Sequence, residues 1–144
     1  MEKLYKLLSD SQATLFMLFQ KTWVYHWNVV GSEFYQFHKV FGKQYEIMFD
    51  EIDRLTEHMR YLNIKPVSTL TRVIEVSHIL ESNNKLDDMG MVKDLLADNE
   101  TLIRLLSETA KEADSQSQRG TVNLLEDLIE KHGKSVWMLR SFTQ

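Results

Sequence analysis

A chain of 144 residues with 43% hydrophobic and 26% charged residues can bury one core as a single domain over residues 1–144, which excludes disorder and a bilayer protein. The lack of cysteine excludes disulfides and thiolate metal sites, and a net charge of −4 gives no general attraction for nucleic-acid phosphates. One proline, five glycines and no alternating apolar runs predict an all-α chain of long helices.

The first helix is expected from about Lys3 to Asn28, with Leu4, Leu8, Leu15, Leu18 and Thr22, beside Phe19 and Trp23, forming a face broad enough for a bundle core. Glu2, Lys3, Lys6 and Asp10 interrupt its early apolar residues, so neither a signal peptide nor a membrane span is expected, and the location is expected to be cytoplasmic. His26 lies near the end of this helix. A turn at Val30, Gly31 and Ser32 follows, with Ser32 and Glu33 as the expected cap of the second helix.

From Phe34 to Leu62 the apolar residues recur in steps of three and four, which predicts one long amphipathic helix ending near Asn63, ahead of Pro66. Asp50 and Glu51 read as part of its solvated face, with Asp50 paired to Arg54 one turn on. Between Pro66 and Asp87 the periodicity breaks. A short helix is expected from Ser68-Thr69-Leu70 to about Ile74–His78, in a connection long enough to cross the bundle instead of turning straight back. The third helix is expected from about Met89 to Ala113, with Met91, Leu95, Asn99, Ile103 and Leu106 facing inward. The fourth follows Asp114–Ser117 and reaches about Ser141, carrying Leu124, Leu125, Leu128, Ile129, Val136 and Leu139. His58 points away from any ligand face, and His78 and His132 have no partner at a convincing spacing.

The chemistry concentrates between His26 and Glu57. His26 and His38 stand twelve positions apart, and Asp53 and Glu57 are one helical turn apart. Imidazole with carboxylate suits a divalent first-row metal. On one helix, however, His38 and Asp53 differ by only about 60° in direction yet are about 22 Å apart along the axis. One ion cannot reach both within a single chain. Sharing requires the helix to meet a second, antiparallel copy of itself, a contact that a two-fold axis supplies twice over. His26 could then join from the same side as His38.

The run His26-Trp27-Asn28, His38 and the Asp53–Glu57 pair resemble, in type and spacing, the Dps family of ferritin-like mini-ferritins. The likeness extends along the chain to Trp137-Met138-Leu139. It implies a ferritin-like four-helix bundle with a short helix in the crossover between helices 2 and 3, assembled as a homo-oligomer, a dodecamer built from two-fold dimers. It also implies an intersubunit ferroxidase centre in which His26, His38, Asp53 and Glu57 hold iron, Fe(II) passing to Fe(III) in a two-iron centre. Hydrogen peroxide or dioxygen would be the oxidant, and the stored ferric mineral would protect against oxidative damage. Trp27 would lie beside the iron.

One position departs from the pattern. The family usually places a carboxylate one turn after the second histidine, where this chain has Gly42. Close helix packing explains a glycine there, and so does a centre one ligand short, with Glu46 a further turn along. A weakened centre leaves room for a structural or DNA-protective shell with little ferroxidase activity. Among the implied pore positions Gln118, Asn123 and Asp127, only the last is acidic. With only Lys3 and Lys6 near the start and no basic arm, DNA binding lacks its electrostatic term.

Overall fold

The three- and four-residue steps become four long helices and one short one in the computed structural model, which describes residues 1–144. In order these are α1 (Glu2–Asn28), α2 (Phe34–Tyr61), α3 (Leu70–Val76), α4 (Asp88–Ser115) and α5 (Arg119–Ser141). Short turns fold α1 against α2 and α4 against α5, and α1 packs on α4 to join the two hairpins, while α2 meets α5 only sparsely. Leu15 and Leu18 of α1, Phe41 and Leu55 of α2, Leu95 of α4 and Leu128 of α5 are fully buried between them. Burial of each such side chain contributes about 1.5–3 kcal/mol.

Two helices end by the same device. Asn63 adopts φ 63° and Ser117 φ 57°, which turns the next amide back onto the helix: Ile64 N–H donates to the Met59 carbonyl (2.8 Å) and Gln118 N–H to that of Ala113 (2.9 Å). At the start of α4, the Asp87 carboxylate accepts from Gly90 N–H at 2.7 Å. Ser32 does not cap α2. Glu33 occupies the cap position without a side-chain bond, because Gly31, at φ 123°, lets the backbone close the turn through Phe34 N–H to the Gly31 carbonyl.

The crossover is fastened along α1 at three heights. The Gln12 carboxamide pairs with both backbone groups of Val67 (3.1 and 2.8 Å). Thr14 Oγ1 accepts from His78 N–H (2.9 Å), and Tyr25 Oη accepts from Asn83 N–H (3.0 Å). From Gln12 to Tyr25 is about 20 Å of helix, so these three anchors follow the crossover along about half the length of the 27-residue α1. Burial lifts the Tyr25 phenol above its ordinary pKa, against the Asn83 bond and with the neighbouring Asp94 carboxylate adding to the rise. The phenol therefore remains a donor, to Asp94 at 2.6 Å. His78, without a partner in the sequence reading, has Nε2 3.0 Å from Asp10.

The expectation of a solvated acidic face on α2 fails at two places. Glu51 is 3% exposed, with Oε1 2.9 Å from His132 Nε2. Arg54 donates to Asp127 of α5 at 2.6 Å and leaves Asp50 aside. Both departures have one cause: α5 lies along this flank of α2, and partners so far apart in sequence leave no trace in helical spacing.

Candidate metal centre

The α1–α2 turn brings the last turn of α1 against the second turn of α2 and with it His26 onto His38. Their rings are stacked, 3.8 Å between centroids and 13° between planes. His26 Nδ1 lies 2.6 Å from the backbone carbonyl of His38, and His38 Nδ1 lies 2.7 Å from that of His26. A carbonyl oxygen can only accept, so each Nδ1 carries a proton. In the neutral rings both lone pairs then sit on Nε2, the arrangement by which a ligating histidine is held in one tautomer and one orientation. Phe34 stacks on the outer side of His38 (5.0 Å), and Tyr45 tilts against His26 (5.3 Å).

Gly42 is the floor under this pair. A Cβ at that position would stand 2.9 Å from His26 Cε1 and 3.1 Å from its Nδ1. The glycine therefore makes room for the inward-turned His26 ring, and any side chain there competes with it. Gly42→Ala would gain about 1 kcal/mol of helix propensity, but overpacking a filled site costs about 1–3 kcal/mol. The expected result is a lower denaturation midpoint together with a shifted His26 imidazole resonance. A stability gain with the resonance unmoved would contradict the close fit.

Asp53 and Glu57 are exposed, toward the other end of α2, and form no ion pair. No group of three or more His, Asp or Glu within one chain is placed to hold a metal. The structure thus brings His26 and His38 together and leaves the carboxylates apart from them, as the helical rise requires. Asp53 borders an apolar hollow of about 560 Å³ with Phe16, Phe19, Phe49, Ile52 and Leu70. Phe49 is 63% exposed and Leu70 70%. Between the histidines and Asp53, then, the flank of α2 that carries both is largely apolar and open. His58 does not join the carboxylates: its Nε2 lies 2.8 Å from Thr121 Oγ1, and burial, with Arg54 adding to it, lowers its pKa. Asp127, a candidate pore acid, is held below the usual carboxylate range by hydrogen bonds from Arg54 and Lys131.

Residues 5–144 match the family described as ferritin-like domain. Over 140 residues the chain is 30% identical to the DNA protection during starvation protein of Helicobacter pylori strain J99, covering 96% of this chain and 97% of that one. The chain belongs to the Dps family of ferritin-like proteins. Among solved Dps structures, that from Thermosynechococcus elongatus superposes with a TM-score of 0.96 at 26% identity, covering 99% of this chain and 91% of that one. The Dps protein of Vibrio cholerae O1, described as a member of a broad superfamily of ferritin-like diiron-carboxylate proteins, gives 0.94 at 26% identity over 99% and 90%. The all-α bundle with its helical crossover is the Dps fold.

One polar cluster has no signature in helical spacing: Glu51, Asn99 and His132, each at most 3% exposed, are bonded to one another across three helices. Asn99 appeared only as an inward position. A polar residue on an apolar helix face was the available signal, and it did not say which partner it would meet.

Proposed function

We propose that this Dps-family chain is a subunit of an iron-oxidising, iron-storing shell, with Fe(II) as the substrate bound between two antiparallel copies. His26 and His38 of one copy and Asp53 and Glu57 of the other form the site, repeated twice across each two-fold axis. The observation that carries this reading is the reciprocal histidine clamp, which uses each Nδ1 on a backbone carbonyl and leaves Nε2 free on two stacked rings, His38 lying on the flank of α2 that also carries the carboxylates. The open apolar strip between them, with Phe49 and Leu70 exposed, suits burial against a second chain.

In this site the imidazoles hold Fe(II), and the carboxylates favour the harder Fe(III) as it forms. Two Fe(II) ions give one electron each. Hydrogen peroxide takes both, its O–O bond breaks, and two hydroxides form without release of hydroxyl radical. Dioxygen is the alternative oxidant. Copies arranged as a dodecamer of two-fold dimers would enclose the ferric mineral and keep reactive iron from peroxide, which protects against oxidative damage. DNA binding has no part in this reading, and no helix is long and apolar enough to cross a membrane.

A second reading, a structural or DNA-protective shell without useful oxidation, is favoured by one observation: Gly42 stands where the family usually supplies a carboxylate, and the His26 ring fills the space. Mixing iron-free protein with Fe(II) and peroxide and following ferric absorbance separates the two. Rapid oxidation over buffer is expected for the ferroxidase, and a trace that matches buffer would leave the inert shell.

A further inference from the structure

Phe34 opens α2 and begins its apolar period, yet it does not follow that period into the core. Phe37 and Phe41 are 1% and 0% exposed, whereas Phe34 is 41% exposed. One exposed phenyl ring is ordinary on a protein surface. What sets this one apart is where its flat face lies. Phe34 and His38 are one helical turn apart on the same side of α2, and their rings are stacked, 5.0 Å between centroids and 23° between planes. His38 is in turn stacked on His26, at 3.8 Å and 13°. The rings form one pile, with His38 as its middle plate.

The turn before α2 puts Phe34 there. Gly31, at φ 123°, lets Phe34 N–H reach the Gly31 carbonyl at 3.1 Å. The helix therefore starts at Phe34, which fixes the side of α2 from which its ring leaves.

What the middle plate gains from this neighbour follows from its bonds. The His38 ring is held by one hydrogen bond, from Nδ1–H to the His26 carbonyl at 2.7 Å. The net worth of such a bond is small where water competes, and water does compete at a half-buried ring. A half-turn about Cβ–Cγ would put Cε1 where Nε2 stands, and a carbon cannot bind a metal. With a flat ring against each face, the imidazole cannot turn without pushing one of them aside. His26 covers one face and Phe34 the other.

We propose that Phe34 is a positioning residue for the metal site: it acts through His38, holding the imidazole in its ligating orientation, and does not touch the metal. The identity of what Nε2 binds rests on the iron reading above, while the hold on the ring is a property of the chain alone. Flatness is the feature that matters, so an aliphatic side chain does not replace the phenyl ring.

The test compares the imidazole nitrogen resonances of the assembled, metal-free protein carrying isotope-labelled histidine, with His38 assigned through His38→Ala. In the parent, His38 should give one protonated and one unprotonated nitrogen, the pattern of a single tautomer. Phe34→Leu keeps an apolar side chain, so the particle mass should be unchanged while the two signals move toward each other. Phe34→Tyr keeps the flat face and should retain the parental signals. Anaerobic titration with Co(II), followed by its visible absorption, gives a second readout. Phe34→Leu should bind Co(II) about 2–10-fold more weakly, the worth of one aromatic contact, and should oxidise Fe(II) with a raised KM and a nearly parental kcat. In a His38→Ala background, Phe34→Leu should weaken Co(II) binding no further.

Parental nitrogen signals and Co(II) affinity in Phe34→Leu would overturn the proposal. So would Phe34→Tyr behaving as Phe34→Leu does, or an undiminished loss in the His38→Ala background. A parent that shows the single tautomer yet binds no Co(II) would overturn the metal site on which the proposal rests, with the hold of Phe34 on the ring still read from the nitrogen signals.

Discussion

His38→Ala is expected to slow Fe(II) oxidation by about a hundredfold or more with almost no cost in stability. Loss of an orienting partner alone weakens a metal ligand about 10–100-fold, and here a donor atom is removed as well. The fold should tolerate the change because the His38 ring is only half-buried and the backbone carbonyl that holds His26 Nδ1 remains. What His26 loses is the ring stacked 3.8 Å away, and with it the second Nε2. Stopped-flow ferric absorbance, compared with the urea midpoint of the same preparation, checks both halves. A parental rate would remove His38 from the site, and a large fall in the midpoint would mark it as structural.

The largest stability effect is expected at Lys21. Its ammonium is buried, 1% exposed, 3.0 Å from Asp94 and in contact with Asp98. Lys21→Met keeps the volume of the side chain but leaves the carboxylates without their counter-charge, and breaking a buried pair in this way costs about 3–5 kcal/mol. Burial pushes the Asp98 carboxyl above its ordinary pKa, and Lys21 draws it back down. For a carboxyl raised in this way, the native state binds more protons than the unfolded chain between the two pKa values. Its contribution to stability is therefore full below the unfolded value, about 3.9, and is lost as pH rises through the folded one. Without Lys21 the folded value climbs further. The deficit of Lys21→Met should consequently be largest near neutrality and shrink as the pH is lowered into the acid range and Asp98 takes up its proton. Denaturant midpoints at several pH values and one protein concentration measure this, and a deficit that grows with acid would contradict the assignment.

Helical order was legible because each long helix repeats its apolar residues at its own period. Leu15, Leu55 and Leu128 are buried where that period puts them. The crossover was legible for a different reason, the loss of period after Pro66. Its fastening was not, because a carboxamide such as Gln12 can bond any passing backbone and the sequence does not say which. Of the candidate site, the sequence gives the two histidines their spacing and predicts that Asp53 lies far along the helix. The reciprocal bonds that orient the rings depend on the α1–α2 crossing and appear only in three dimensions. Gly42 carried a readable signal, a helix-weakening residue inside a long helix. Its cause, the His26 ring lying over it, is a contact between helices. Glu51 misled because one flank of an acidic run faces α5 and the other faces water.

Co-assembly of two inactive variants tests the shared site most directly. If His38→Ala and Asp53→Ala chains are co-expressed and purified as mixed particles, each mixed dimer has one site carrying both substitutions and one carrying neither. Random pairing makes half the dimers mixed, so about one quarter of the parental oxidation rate should return, although each variant alone is nearly inactive. A site built from two antiparallel copies requires that recovery. Mixed particles as slow as either variant alone would mean that His38 and Asp53 do not act across a two-fold contact.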